Sequence, residues 1–244
     1  MIIKRKEPIE TVVVTKENQE LWRRCELLEY KVFLEEDYIS ENSEKRLLEY
    51  DKYDHFLIAA FLGNSKNNYE NRKLVGVLRV GDAKQAIEAD TGLFSTLDAQ
   101  DRIEFYPDML KTMLDVHPQS VLDLAAMAIL KENRCSRISR ALIAGFITCA
   151  LEMIFSRRRD QLQAPQLRYI LAAADERVYD RFIGRSFPML GKLPIAGLGK
   201  PTMYWGSVTV PIMLDADAAI SPKLHRVLYM LNNCILGFYR RGIL

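Results

Sequence analysis

The chain has 244 residues, 49% of them hydrophobic, which is enough to bury a core of domain size. A formal net charge of +2 and a pI of about 8.3 exclude the strong uniform field typical of a nucleic-acid-binding domain. The four cysteines have neither disulfide nor metal-ligand spacing, so we expect reduced thiols and no metal site. With no signal-peptide pattern and no apolar run of membrane-spanning length, we expect a cytoplasmic protein.

The first elements are a strand and an amphipathic helix. The β-branched run Thr11–Val14 predicts the strand. From Asn18 to Asp37, apolar residues recur at steps of three and four among charged neighbours, which predicts a helix lying on the core. Ser40–Glu49 is polar and is compatible with either a short helix or a mobile lid.

A β-hairpin is predicted next. Phe56–Leu62 and Lys73–Val80 are apolar runs separated by the Asn-rich turn Gly63–Arg72. Arg79 interrupts the second run, either because it faces solvent or because it has a function.

Two acids, Asp51 and Asp54, precede the hairpin. They either cap a turn or join Arg79 in a charge network. A long segment, Gly81–Ser120, then separates the hairpin from the next strand, and we expect it to hold a helix or to cover a site. Its methionines and aromatics suit either an ordinary core or the wall of an acyl-chain pocket.

The central stretch predicts a strand, a basic turn and a helix. Val121–Leu130 is almost continuously apolar, as a strand buried on both faces would be. Apolar residues then recur at helical spacing from Ile138 to Ile154. Three arginines lie between this strand and the first turns of the helix: Arg134, Arg137 and Arg140. A helix N-terminus with such cations favours phosphate binding, although basic turns are often only solvated.

The last third predicts two further strands and two helices. Leu167–Ala173 and Thr202–Val210 have strand character, with a Gly- and Pro-rich loop, 189–201, before the second. A helix is expected over Glu176–Ile183 and a strongly amphipathic one over Pro222–Phe238. We therefore expect a domain over 1–210 and a helical extension over 211–244 that packs on the domain, dimerises or contacts a membrane surface.

The basic turn carries a family resemblance. Arg134-Cys-Ser-Arg137-Ile-Ser139 resembles the Arg/Gln-x-x-Gly-x-Gly/Ala loop of GCN5-related N-acetyltransferases (GNATs), with Arg137 in place of the first glycine. The resemblance implies a mixed central β-sheet flanked by helices (α/β, α+β), with an added C-terminal helix. It also implies that the donor phosphates and pantetheine arm are held by the loop and the preceding strand, namely by Met127, Ala128, Ile129, Arg134, Arg137, Ser139 and Arg140.

A closer resemblance comes from three short motifs in order. Lys31-Val-Phe33, Asp51-x-x-Asp54 and Gly76-Val-Leu-Arg79 are similar to motifs of acyl-homoserine-lactone synthases and N-acyl amino acid synthases. Asp123 stands where the lactone synthases carry an acid in the central strand. The resemblance implies transfer of a fatty acyl group from an acyl carrier protein to an amine. It places Phe33, Asp51, Asp54 and Arg79 on the acceptor side.

The implied chemistry assigns the remaining roles. Asp123 or Glu104 would take the amine proton through water, and Tyr179 would protonate the departing thiolate unless it is a plain core tyrosine. No tightly bound cofactor is implied, only acyl carrier protein or coenzyme A as a thioester co-substrate and a small amine, such as an amino acid, as acceptor. The alternatives are an acetyl-coenzyme-A-dependent GNAT acetyltransferase and a catalytically inactive ligand-binding protein. The oligomeric state stays open.

Overall fold

The computed structural model describes residues 7–51, 55–63, 69, 72–82, 106–107, 120–134, 136–159, 167–176, 179–180, 186–187, 191–192, 195–204 and 207–216. Asp54, Glu104, most of the segment 81–120 and the whole predicted C-terminal helix lie outside these residues.

The described residues form a mixed sheet with two long helices. The strands are β1 (Ile9–Val14), β2 (His55–Leu62), β3 (Lys73–Asp82), β4 (Val121–Ile129), β5 (Tyr169–Asp175), β6 (Ser186–Phe187), β7 (Gly191–Lys192), β8 (Ile195–Gly197), β9 (Thr202–Tyr204) and β10 (Ser207–Asp215). The helices are α1 (Gln19–Glu35) and α2 (Ser136–Arg159), with short 3₁₀ turns at Leu48–Tyr50 and Lys131–Asn133.

The sheet order is β1-β2-β3-β4-β5-β10-β8, with β9 paired to β10 and a separate β6-β7 pair. Neighbours along this path are antiparallel except β4 and β5, which are parallel. Parallel neighbours need a crossover, and α2 supplies it between β4 and β5. The predicted strand, turn and helix of the central stretch are therefore confirmed as one β-α-β unit.

Helix α1 begins where its sequence predicts. The Asn18 side-chain oxygen accepts a hydrogen bond from the Leu21 N–H at 3.1 Å, which caps one of the free amides of the first turn. Its apolar stripe packs against β2, β3 and β4, burying Leu21, Trp22, Cys25, Leu28, Val32 and Phe33. Burial of each large apolar side chain contributes about 1.5–3 kcal/mol, so packing rather than propensity stabilises this helix.

Helix α2 covers the opposite face of the sheet. Ile138, Leu142 and Phe146 pack there with alternate residues of β2 and β3. Two glycines permit a close approach: a Cβ at Gly145 would lie 2.8 Å from the Thr11 hydroxyl oxygen, and one at Gly76 would lie 3.0 Å from Ile138 Cγ2. Strands covered on both faces explain why the hairpin and β4 are apolar without alternation.

Two predictions of local structure are corrected, and a third region, Ser40–Glu49, is defined by the structure. The predicted strand Thr202–Val210 is two strands, and the second continues to Asp215 beside β5, because its apolar residues fill the core beyond Pro211. A boundary at 210/211 would cut this paired strand; the division into domain and extension otherwise stays a prediction. The predicted loop 189–201 contains β7 and β8. Within Ser40–Glu49, helical structure is limited to the 3₁₀ turn that starts at Leu48.

Candidate functional site

The sheet opens between its two parallel strands. β4 pairs with β3 from Leu122 to Ile129, but with β5 only from Val121 to Leu124. Both β4 and β5 continue past that last pair, so the ladder between them ends while the strands do not. Met127 is 38% exposed although it lies in a central strand. Backbone groups on this side of β4 can therefore pair with an extended ligand in place of β5.

A β-bulge lies where the opening begins. Arg79 is opposite Ala126 and Val80 is opposite Leu124, so Ala125 is an extra residue in β4. A bulge increases the local twist and redirects the backbone, which is consistent with the divergence of β4 from β5 at this point. The Tyr50 hydroxyl donates a hydrogen bond to the Ala125 carbonyl oxygen at 3.2 Å.

The strand residues predicted to contact the thioester lie along this opening. Ala128 is buried in the core on the α1 face, and Met127 is the exposed residue described above. The Ile129 carbonyl accepts a hydrogen bond from Arg134 Nε at 3.2 Å. The end of β4 is therefore tied to the first arginine of the basic turn.

The basic turn lies at the end of β4 and the start of α2. Arg134 is partly exposed and pairs with Glu36, just after α1, at 2.7 Å. Arg137 donates to the Glu7 carbonyl at 2.9 Å, while Ser139 and the exposed Arg140 lie in the first turns of α2. No acidic side chain lies in that first helical turn, so the dipole and the cations act together. Phosphate binding by these residues stays a prediction.

Arg79 is buried rather than solvent-facing, which corrects one of the two interpretations drawn from its strand. It is 2% exposed and forms a forked contact with Glu29, which is 0% exposed, including a 3.1 Å bond from Nε to Oε1. Its remaining terminal nitrogen contacts His55 Nε2. A guanidinium only donates, so His55 Nε2 is the acceptor in this contact. The sheet thus holds an ion pair beneath α1.

Aromatic rings and pKa shifts complete this buried cluster. The Arg79 guanidinium lies 4.9 Å from the Tyr50 ring centre and 5.9 Å from that of Trp22. Burial raises the pKa of Glu29, with Arg79 opposing the shift. For Arg79, burial lowers the pKa, but the charge and hydrogen bond of Glu29 outweigh it and the net pKa is raised. Burial likewise raises the pKa of Cys25 to about 12.

Arg79 has a carboxylate partner that the sequence did not predict. Its carboxylate partner is Glu29, whereas Asp51 contacts Arg46 and is 49% exposed at its side chain. The signal for Glu29 was present, since it occupies the apolar stripe of α1 beside Cys25. Asp54 lies outside the described residues, and any role of Asp51 towards an acceptor stays a prediction.

Phe33 packs in the α1 core with its ring edge-on to Tyr38 at 5.7 Å. Its predicted contact with an acceptor is untested by this placement.

Two of the three proposed proton-transfer residues are described: Asp123 lies in the paired part of β4, opposite Leu171 of β5, and Tyr179 lies beside β8. Asp123 is 1% exposed in β4, opposite Gly81, and shares a sheet face with Arg79 two residues away along β3. Tyr179 follows β5; its hydroxyl lies 3.4 Å from where a Cβ at Gly197 would be. Loss of water, and after it the neighbouring Tyr106 and Asp180, raises the pKa of Tyr179. Tyr179 therefore keeps its proton at neutral pH. Glu104 lies outside the described residues.

Among the described residues, no cluster of His, Cys, Asp or Glu could hold a metal ion. Cys25 is a buried free thiol. Neither described helix is long and apolar enough to cross a membrane.

The comparisons with known proteins agree with this geometry. No family model matches the chain, and no curated protein matches it. Among solved structures, the coenzyme-A-dependent acyl-homoserine lactone synthase MesI matches with a TM-score of 0.54 and 13% identity over 88% of this chain and 91% of MesI. The synthase LasI matches with a TM-score of 0.50 and 16% identity over 86% of this chain and 90% of LasI. BjaI is a coenzyme-A-dependent acyl-homoserine lactone synthase solved with SAM and isopentyl-CoA. It matches with a TM-score of 0.50 and 14% identity over 91% of this chain and 88% of BjaI. The chain therefore has the fold of the acyl-homoserine lactone synthases, and the predicted GNAT-like architecture is confirmed.

Proposed function

We propose that the protein is an N-acyltransferase that moves a fatty acyl group from a thioester to the amine of a small molecule. The observation that carries the proposal is the opening between β4 and β5, where the ladder ends at Leu124 while β4 continues to Ile129. A pantetheine arm is extended and carries amides. These amides can form hydrogen bonds with the edge of β4 where β5 no longer pairs with it.

The geometry suits acyl transfer at this edge. Backbone N–H groups near Met127 and Ala128 would polarise the thioester carbonyl and stabilise the oxyanion. The amine nitrogen attacks the carbonyl carbon, the carbon–sulfur bond breaks, and the thiolate takes a proton from Tyr179. The proton lost by the amine passes through water to Asp123 or Glu104. The raised pKa of Tyr179 means that the hydroxyl carries its proton at neutral pH, which a proton donor requires.

The donor is a phosphopantetheine thioester, on acyl carrier protein or coenzyme A. Both carry a phosphate that Arg134, Arg137 and Arg140 would bind at the N-terminus of α2. The coenzyme-A dependence printed for MesI and BjaI supports coenzyme A as one donor class. The positive charge of these three arginines would complement an acidic acyl carrier protein, which supports carrier-bound thioesters as the other donor class. We propose that the reaction takes place in the cytoplasm, where such thioesters are made.

The acceptor we propose is an amino acid or a similar small amine. The buried Arg79–Glu29 pair fills the space between α1 and the sheet. The acceptor would therefore approach β4 from the side that β5 leaves unpaired. SAM bound in BjaI shows that a molecule with an amino-acid moiety is accommodated on this fold.

A product assay tests the proposal. Purified protein is incubated with acyl-coenzyme A and acyl-carrier-protein panels of graded chain length, together with the common amino acids and SAM. We expect an N-acyl product by mass spectrometry and a matching release of thiol. Tyr179→Phe should lower kcat, whereas Tyr38→Phe, at an exposed ring outside the opening, should not.

Three outcomes separate the rival functions. Turnover with a long-chain donor supports the proposal and identifies the carrier. Turnover with acetyl-coenzyme A alone shows an acetyltransferase instead. Folded protein that binds a thioester but releases neither thiol nor product with any donor shows an inactive ligand-binding protein.

A further inference from the structure

We infer that Tyr50 is a positioning residue for acyl transfer, because its hydroxyl anchors the β4 bulge at which the opening begins. The inference rests on the proposed function. Tyr50 is buried in the core on the α1 face, and its hydroxyl reaches the Ala125 carbonyl at 3.2 Å. Ala125 is the extra residue of the bulge, so this bond is made to the one residue between Leu122 and Ile129 that has no counterpart in β3.

Peptide geometry explains what the anchor does. In a trans peptide the carbonyl and the following N–H point in opposite directions. Fixing the Ala125 carbonyl towards Tyr50 therefore fixes the Ala126 N–H away from it. Met127 and Ala128 follow in β4, and because consecutive N–H groups of a strand point to opposite edges, one of these two would face the thioester. A rotation of one bulge peptide would change their alignment, and oxyanion stabilisation depends on donors that are fixed before reaction.

The neighbours of Tyr50 hold it in place. The residue ends the 3₁₀ turn Leu48–Tyr50, and an ion pair between Arg46 and Asp51 closes the chain around that turn. The Arg79 guanidinium lies against its ring at 4.9 Å. The buried ion pair, the tyrosine and the bulge therefore form one continuous set of contacts from α1 to β4. Through its ion pair with Arg46, Asp51 has a structural role at the 3₁₀ turn.

The test compares two tyrosines that each lose only a hydroxyl. Tyr50→Phe removes the bond to β4. Tyr30→Phe is the matched control, since Tyr30 is equally buried but its hydroxyl accepts from the Asn42 N–H at 3.0 Å, away from the sheet. For Tyr50→Phe we expect kcat to fall roughly three- to tenfold, the effect of one hydrogen bond, with donor KM within about twofold. Tyr30→Phe should leave kcat unchanged.

Hydrogen exchange supplies a readout that needs no turnover. Amides of residues 125–128 should exchange several-fold faster in Tyr50→Phe than in wild type or Tyr30→Phe. If wild type shows no acyl transfer, this exchange pattern still supports the anchor, and the proposed function alone has failed. Equal loss of kcat in both variants, or unchanged kcat and unchanged exchange at the bulge in Tyr50→Phe, would overturn the inference.

Discussion

The buried pair of Arg79 and Glu29 gives the sharpest prediction about the fold. Replacing Arg79 with methionine leaves Glu29, which is fully buried, without its cation. Removing one partner of a buried pair typically costs about 3–5 kcal/mol. A domain of this kind has a free energy of unfolding of about 5–15 kcal/mol, so the variant should be strongly destabilised at pH 7. The double variant Glu29→Met/Arg79→Met removes both charges and should recover most of this loss.

The free energy of unfolding of Arg79→Met should change with pH in a definite direction. Burial already raises the pKa of Glu29 above its ordinary value, and loss of Arg79 removes the main opposing effect. The folded Arg79→Met protein then binds more protons than the unfolded chain between the two pKa values, so its stability falls as pH rises through that window. The slope should approach about 1.4 kcal/mol per pH unit, and part of the loss should return as pH falls from 7 towards 5.

Urea unfolding followed by circular dichroism and tryptophan fluorescence measures these changes, since Trp22 lies against the pair. Asp51→Asn is the control: its ion pair with Arg46 is largely exposed and should contribute only about 0–1 kcal/mol. A cost below about 1 kcal/mol for Arg79→Met, or a double variant no more stable than the single, would refute the reasoning.

Three further predictions concern the turn, the core thiol and the helix contact. Arg134→Ala should raise donor KM about tenfold with little change in kcat, because an exposed cation that also pairs with Glu36 contributes a moderate phosphate contact. Under native conditions at pH 8, iodoacetamide should spare Cys25, whose pKa is about 12, as peptide mass spectrometry would show. Gly145→Val should reduce the free energy of unfolding by about 1–3 kcal/mol, because its Cβ would meet Thr11.

Matched variants isolate each of these effects. Arg23→Ala removes a cation whose contacts are Glu26 and the Glu44 carbonyl, so donor KM should not change. Ala144→Val places the same side chain on the exposed side of α2 and should cost under about 1 kcal/mol. Equal responses of test and control variants would contradict the phosphate role of Arg134 and the close packing at Gly145. Rapid native alkylation of Cys25 would contradict its burial.

Elements with a strong local pattern were predictable from the sequence. The period of apolar residues located α1, and the hairpin strands followed from two apolar runs around an Asn-rich turn. The central strand and α2 were predictable for the same reason. The end of the β4–β5 ladder at Leu124 was not, because strand divergence depends on tertiary pairing and leaves no local signal. The split of Thr202–Val210 into β9 and β10 was not predicted, because strand-forming residues lie on both sides of Gly206 and the antiparallel pairing is a tertiary feature.

The candidate site shows the same division. The basic turn could be placed from sequence because arginines next to a helix start form a local pattern. The burial of Glu29 could be read from its place in the apolar stripe of α1, but its pairing with Arg79 could not, since the two residues are 50 positions apart and only folding brings α1 onto β3. Tyr50 carried no signal at all: its contact with Ala125 spans 75 positions and depends on a bulge. Asp51, which the resemblance placed on the acceptor side, forms an ion pair with Arg46, and no local pattern indicated that pairing.

Hydrogen exchange with a bound donor analogue tests the central claim, that the opening beside β4 is the acyl-thioester site. The probe is a non-transferable thioether analogue of octanoyl-coenzyme A, with the matching acyl-pantetheine analogue as a second ligand. We expect protection concentrated in the amides of residues 125–129, and no change in the equally central β2. Saturable binding that leaves 125–129 unprotected, or protects another part of the chain instead, would contradict the account.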